Sequence, residues 1–172
     1  SDSAADELAH VLKEKNIRDN LVRDSLISTT VKTRVLAQQQ QLIRLDFERR
    51  PSDESALAVV GLFKNEVHKY DAVIFSDYGK GVLRDIGALI DVSRDVGKLV
   101  FVDPKGNNFS KYRNSSFLTP NRKELEAVTG SWGSESELDA KASELRNDLG
   151  LQGLLVTRSE EGMTLYSESG KM

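Results

Sequence analysis

The sequence predicts an α/β protein built on a mostly parallel sheet, and three observations carry that reading. From about residue 53 onward, short apolar runs alternate with helical patterns, the signature of strand–helix–strand units. The runs Ala72–Ser76, 99–102 and 154–156 are continuous rather than alternating. Strands buried on both faces read this way, which predicts helices on both sides of the sheet and right-handed crossovers. Each run also ends in polar residues, where the chain must turn.

Composition bounds the answer. The chain has 172 residues, 38% apolar and 30% charged, enough for a real core in an ordinary globular protein. The net charge of −3 gives no pull toward nucleic acid or an anionic membrane. There is no cysteine, which removes thiolate and disulfide chemistry and fits a reducing, cytoplasmic setting. The two histidines, His10 and His68, are far apart on predicted helices, a poor basis for a histidine metal site. No apolar run approaches the length of a membrane span.

Taken in order, Ser3 can cap a helix to about Lys13 that aligns Ala5, Leu8 and Leu12. Residues 29–37 alternate, residues 42–47 form a second strand, and the glutamines between them make the turn of a hairpin. Pro51 punctuates a polar joint. A helix over 53–69 points Leu57, Val60, Phe63 and Val67 inward. Strand Ala72–Ser76 follows. The next helix, 84–96, carries Ile86, Leu89, Ile90 and Val96 and stops at Gly97. After strand 99–102 comes an irregular stretch through Tyr112, then a short strand over 116–118. Pro120 ends that strand because it has no N–H and disfavours helix in the residue before it. Asn121 then sits at an N-cap with Glu124 three residues later, a capping box opening a short helix that ends at Gly130. Ser134 and Glu137 open a helix with Leu138, Ala142, Leu145 and Leu149, ended by Gly150. Strand 153–156, a turn at residues 160–162 and an antiparallel strand over 163–166 complete the pattern.

In an open parallel sheet a ligand lies beyond the carboxyl ends of the strands. Those ends carry Asp77-Tyr-Gly-Lys-Gly81, Asp103-Pro-Lys-Gly106, Asn121 with Glu124, and Thr157-Arg158 leading to Gly162. Lysines and helix N-termini hold phosphate oxygens, and carboxylates hold Mg²⁺ directly or through water, so the mixture suits a phosphorylated ligand with a divalent ion. Neither of the two common glycine-rich nucleotide loops is present. The plain alternative also stands: Asn121 and Glu124 only cap a helix, and the Asp77 and Asp103 segments are only turns.

The segments Val73-Ile-Phe-Ser-Asp-Tyr-Gly-Lys-Gly81, Val102-Asp-Pro-Lys-Gly106, Leu118-Thr-Pro-Asn121 with Glu124, and Leu155-Val-Thr-Arg-Ser-Glu-Glu-Gly-Met163 resemble the ribokinase-like (PfkB) carbohydrate kinases. Thr33-Arg-Val-Leu and Gln40-Gln-Leu-Ile-Arg-Leu-Asp-Phe-Glu48 make the resemblance closest to the kinase part of bacterial ADP-heptose synthases. The resemblance implies a three-layer fold with helices on both faces of the sheet. Residues of about 28–48 would be a β-hairpin lid and about 53–172 the α/β core. It implies transfer of the γ-phosphoryl of ATP, with Mg²⁺, to the anomeric hydroxyl of a heptose 7-phosphate, on the way to ADP-heptose and the lipopolysaccharide core. By the same resemblance Asn121, Arg122, Lys123, Glu124, Thr157, Arg158 and Gly162 serve the nucleotide, with Glu124 also at the metal. Asp77, Lys80, Asp103 and Lys105 face the sugar substrate or phosphates. Copies of the chain would pair through the lid.

The chain departs from the family pattern in having no opening strand with its Gly-Gly segment and no Gly-Ala-Gly-Asp motif, whose aspartate is the family's base. It therefore reads as the central part of a kinase domain, incomplete at both ends, with no catalytic base of its own. Little kinase activity and exposed apolar surface, with self-association or marginal stability, are expected. Two other readings remain: a different sugar kinase of the same family, and a non-catalytic α/β binding or regulatory module with acidic strand ends.

Overall fold

The computed structural model describes residues 2–172 and divides into two compact units, one running to Leu62 and the other spanning Phe63–Met172. The boundary falls inside a helix, later than the joint near residue 53 expected from the sequence.

The first unit opens with α1 (Ser3–Glu14). Its cap is Asp2, one residue before the expected Ser3: the Asp2 carboxylate accepts from the Ala5 N–H at 2.9 Å and also from the Thr29 N–H at 2.8 Å. A carboxylate at this position satisfies an orphan N–H and complements the helix dipole. Strands β1 (Val31–Ala37) and β2 (Gln40–Phe47) form the expected hairpin, paired antiparallel from Val31 opposite Phe47 to Ala37 opposite Gln40. Gln38 and Gln39 both take positive φ, 47° and 68°, which matches the twist of a two-residue hairpin turn. Every residue of both strands is exposed. Helix α2 (Asp53–Glu66) is capped by Ser52, whose hydroxyl accepts from the Ser55 N–H and donates to Asp24. Its buried position is Ala56, and Val60 and Phe63 are half-buried as expected, whereas Leu57, expected inward, is 62% exposed.

The second unit holds a six-stranded sheet. Its strands are β3 (Ala72–Ser76), β4 (Leu99–Asp103), β5 (Phe117–Leu118), β6 (Gly153–Thr157), β7 (Met163–Ser167) and β8 (Gly170–Lys171), side by side in chain order. The first four are parallel, β7 pairs antiparallel with β6, and β8 pairs antiparallel with β7. The two-residue β8 has no counterpart in the sequence reading. Helices α3 (Ile86–Asp95), α4 (Arg122–Thr129) and α5 (Glu135–Leu149) occupy the connections. Ile86, Leu89 and Ile90 of α3 are buried as expected, whereas Val96 lies beyond the helix and is 42% exposed.

In this unit the fully buried strand residues lie mainly on one face of the sheet. Phe75, Val100, Val102, Leu118, Leu154, Val156 and Tyr166 share that face through the strand register and are all buried. The opposite face carries Ile74, Leu99 and Met163, which are exposed. The reason is topological: parallel strands laid down in sequential order, joined by right-handed crossovers, put every connection on the same side.

Candidate functional site

The carboxyl ends of β3 to β6 meet along one edge of the second unit, and the site is built there. The β5 strand is cut short by Thr119 and the buried Pro120, and α4 begins immediately. Asn121 is in extended conformation, and its side chain accepts from the Glu124 N–H at 3.0 Å, while Glu124 Oε2 accepts from the Asn121 N–H at 3.0 Å. The capping box is thus complete in both directions. The Thr157 N–H donates to the Pro120 carbonyl at 3.0 Å, so the end of β6 is tied directly to the start of α4.

Lys105 closes this group from the β4 side. Its ammonium donates to Glu124 Oε1 at 3.2 Å, with Glu124 largely covered and Lys105 half exposed. Glu124 therefore uses one oxygen on the helix cap and the other on a lysine. A cation and the N-terminal N–H groups of a helix converge there, which is a place for phosphate oxygens.

Asp77 lies at the end of β3 and is 6% exposed. Its Oδ1 accepts from the Gly79 N–H at 2.7 Å, and its Oδ2 from the Lys111 ammonium and the Tyr112 hydroxyl, each at 2.7 Å. Burial pushes this carboxyl upward, but the hydrogen bonds from Lys111, Gly79 and Tyr112 outweigh it and hold it below the usual range. Burial alone would depress the Lys111 ammonium, and the Asp77 carboxylate and the Tyr112 hydroxyl reverse that, so it titrates above an ordinary lysine. Burial raises the Tyr112 phenol.

The remaining expected residues divide. Asp103 is exposed, with the Ser76 hydroxyl at 3.5 Å, and its carbonyl accepts from the Asp77 N–H. Lys80 and Lys123 are exposed. Arg122 pairs with Glu161 at 3.2 Å and lies 5.5 Å over the Trp132 ring. The Arg158 guanidinium grips Glu135 at 2.6 Å and also pairs with Glu161, which raises its pKa. Its N–H donates to the Gly162 carbonyl at 2.8 Å, closing the loop after β6. Gly162 takes φ 80° and ψ −129°, a backbone that only glycine adopts readily.

The structure therefore gathers Lys105, Asn121, Glu124 and Thr157 into one cluster, joins Asp77 to it through Tyr112, and engages Arg158 in holding its own loop. Lys111, Tyr112, Glu135 and Glu161 were missed by sequence reasoning. Among the described residues no group of three or more acidic, histidine or cysteine side chains could cage a metal ion. Glu124 has one oxygen on the Asn121 N–H and the other on Lys105, so Mg²⁺, which keeps several waters, would meet it through water or in place of the lysine. No helix of the described residues is long and apolar enough to cross a membrane.

Comparison with known proteins places the chain in a family. The model of the pfkB family carbohydrate kinases matches residues 1–172. The chain is 41% identical over 171 residues to a D-beta-D-heptose 7-phosphate kinase of Bordetella bronchiseptica, covering 97% of this chain and 55% of that protein. It is 46% identical over 167 residues to the bifunctional protein HldE of Aeromonas hydrophila, covering 97% of this chain and 35% of that protein. The chain thus spans about half or less of the length of the curated relatives it matches. In fold it is similar to a PfkB protein from Polaromonas sp. JS666, with a TM-score of 0.77 at 15% identity, over 100% of this chain and 62% of that one. Phosphofructokinase-2 from Escherichia coli in complex with potassium gives a TM-score of 0.76 at 17% identity, over 99% of this chain and 57% of that one. With a family match along its whole length, relatives above 40% identity and a ribokinase-like fold, the chain belongs to the pfkB family of carbohydrate kinases.

Proposed function

We propose that this chain supplies the nucleotide-phosphate and Mg²⁺ side of an ATP-dependent kinase acting on D-glycero-D-manno-heptose 7-phosphate. The product would be the 1,7-bisphosphate, on the route to ADP-heptose and the lipopolysaccharide core. The observation that carries the reading is the convergence of the Lys105 ammonium, Glu124 and the N–H groups of the Asn121-capped helix at one strand edge. The identity to a heptose 7-phosphate kinase supports the choice of sugar.

Phosphoryl transfer is mostly positioning and charge stabilisation. The Arg122 and Lys123 backbone N–H groups in the first turn of α4 offer donors to phosphate oxygens, and Lys105 adds a cation beside them. Glu124 would hold Mg²⁺, which supplies neutralising charge on the phosphate oxygens when bound. Thr157 and Gly162 shape the neighbouring loop on which the nucleotide would rest. The first helix and the hairpin form a separate unit, and the hairpin is proposed as the lid over the sugar and as the surface through which two copies pair.

No Gly-Ala-Gly-Asp segment occurs in the 172 residues, so binding comes before turnover. Calorimetry with MgADP is expected to show binding, and Glu124→Gln to weaken the Mg²⁺-dependent part by about tenfold, the scale of one charge-assisted contact. Absence of binding with and without Mg²⁺ would overturn the nucleotide reading and favour a non-catalytic module. The sugar is tested by ADP release from MgATP with the heptose 7-phosphate, on this chain and on one extended through a Gly-Ala-Gly-Asp segment. Turnover by the extended chain supports the heptose reading, and turnover by neither ends it.

A further inference from the structure

Asp77 was expected to face a substrate, and its surroundings argue for a different task. Both oxygens are used inside the protein, by the Gly79 N–H on one side and by Lys111 and Tyr112 on the other. At 6% exposure it offers little to an incoming ligand. The fully buried Tyr112 continues the line: its hydroxyl donates to Asp77, accepts from the Lys105 N–H at 2.9 Å, and lies 3.1 Å from the Lys105 carbonyl. One hydroxyl thus touches the end of β3 and both backbone polar groups of Lys105. Beyond that point Gly106 takes φ 94°, and the Lys105 stem passes Gly79 closely enough that a Cβ there would lie 3.9 Å from Lys105 Cγ. The ammonium then reaches Glu124.

We infer that the Asp77–Tyr112 pair is a positioning device for Lys105: the buried carboxylate orients the Tyr112 hydroxyl, and that hydroxyl sets the Lys105 backbone so that its ammonium stands at the N-terminus of α4. Neither Asp77 nor Tyr112 touches the ligand in this account. A neutral hydroxyl alone could rotate. A charged acceptor at 2.7 Å fixes its proton and leaves its lone pair on the Lys105 N–H. Lys111 compensates the buried charge of Asp77, as a carboxylate so placed requires.

The inference rests on the nucleotide reading given above, and a double-mutant cycle separates the two. MgADP affinity is measured for the unaltered chain, Tyr112→Phe, Lys105→Met and the double variant, with a thermal melt on each. Tyr112→Phe keeps the ring and removes only the hydroxyl. It is expected to weaken binding about fivefold, the scale of one hydrogen bond. Lys105→Met should weaken it about tenfold. In the Lys105→Met background the tyrosine change should then cost less than about twofold, because the group it acts through is gone. Equal losses in both backgrounds, or no loss in the unaltered one, would overturn the inference while leaving the nucleotide site standing. Failure of the unaltered chain to bind MgADP would remove the nucleotide reading and the inference with it. If Tyr112→Phe does not fold, Asp77→Asn is carried through the same cycle, with the same loss expected in the unaltered background and the same suppression by Lys105→Met.

Discussion

On one face of the six-stranded sheet Val100, Val102, Leu118, Leu154 and Val156 are all 0% exposed, whereas on the other Ile74 is 76% exposed and Met163 64%. The residue types are the same; what differs is the cover. Neighbours along a single strand go opposite ways: Phe75 is buried, and Ile74 next to it is not. Hydrophobicity says that a side chain gains from burial, but the path of the chain decides whether anything is there to bury it. The second face is not featureless. Phe101 and Phe117 stack at 5.0 Å and nearly parallel, and the Phe117 ring lies over Gly153, where there is no side chain. The open face is thus organised locally, by ring contacts, where the covered face is organised by whole helices.

Substitutions on the two faces can break or sharpen this contrast. The largest effect is expected from Leu154→Ala on the covered face, which leaves a cavity under the helices and should lower the unfolding free energy by about 2–5 kcal/mol in urea denaturation. Gly153→Ala, one residue earlier but on the open face, should cost less, about 1–3 kcal/mol. The new Cβ would lie 2.6 Å from Phe117 Cε1 and 3.2 Å from Leu165 Cδ1, so the half-exposed ring must move. Ile74→Thr should be smallest, within about 0.5 kcal/mol, because the side chain is already in solvent and threonine keeps the β-branch. If Ile74→Thr cost as much as Leu154→Ala, the second face would not be open in solution and the contrast would fall.

The candidate site was legible where its interactions are local. The Asn121–Glu124 box spans three residues, so sequence spacing and helix geometry together specify it. The helix stops at Gly97, Gly130 and Gly150 were readable for the same reason; all three take positive φ. What escaped the reading is held across the chain. Lys111 and Tyr112 stand 34 and 35 residues from Asp77, in a stretch with no periodic pattern. The carboxylate partner of Arg158, Glu135, lies 23 residues earlier, on the first turn of α5. A strand-end arginine looks the same in sequence whether it meets a phosphate or an internal glutamate. The first cap also moved by one residue, from Ser3 to Asp2, because the Asp2 carboxylate reaches Thr29 as well as the helix, a contact across 27 residues.

The sequence by itself determined the alternation of strands and helices, their caps and stops, and the collection of lysines, acids and an asparagine at the strand ends. These depend on φ/ψ preferences, side-chain reach over three or four residues and the two periodicities of buried faces. Only the tertiary structure decided which sheet face is covered, which of those polar residues point at one another, and that Asp77 is occupied within the protein while Lys105 stands beside the α4 cap. Those outcomes depend on strand order and crossover hand, which bring together groups tens of residues apart, and no local pattern in the chain encodes that distance.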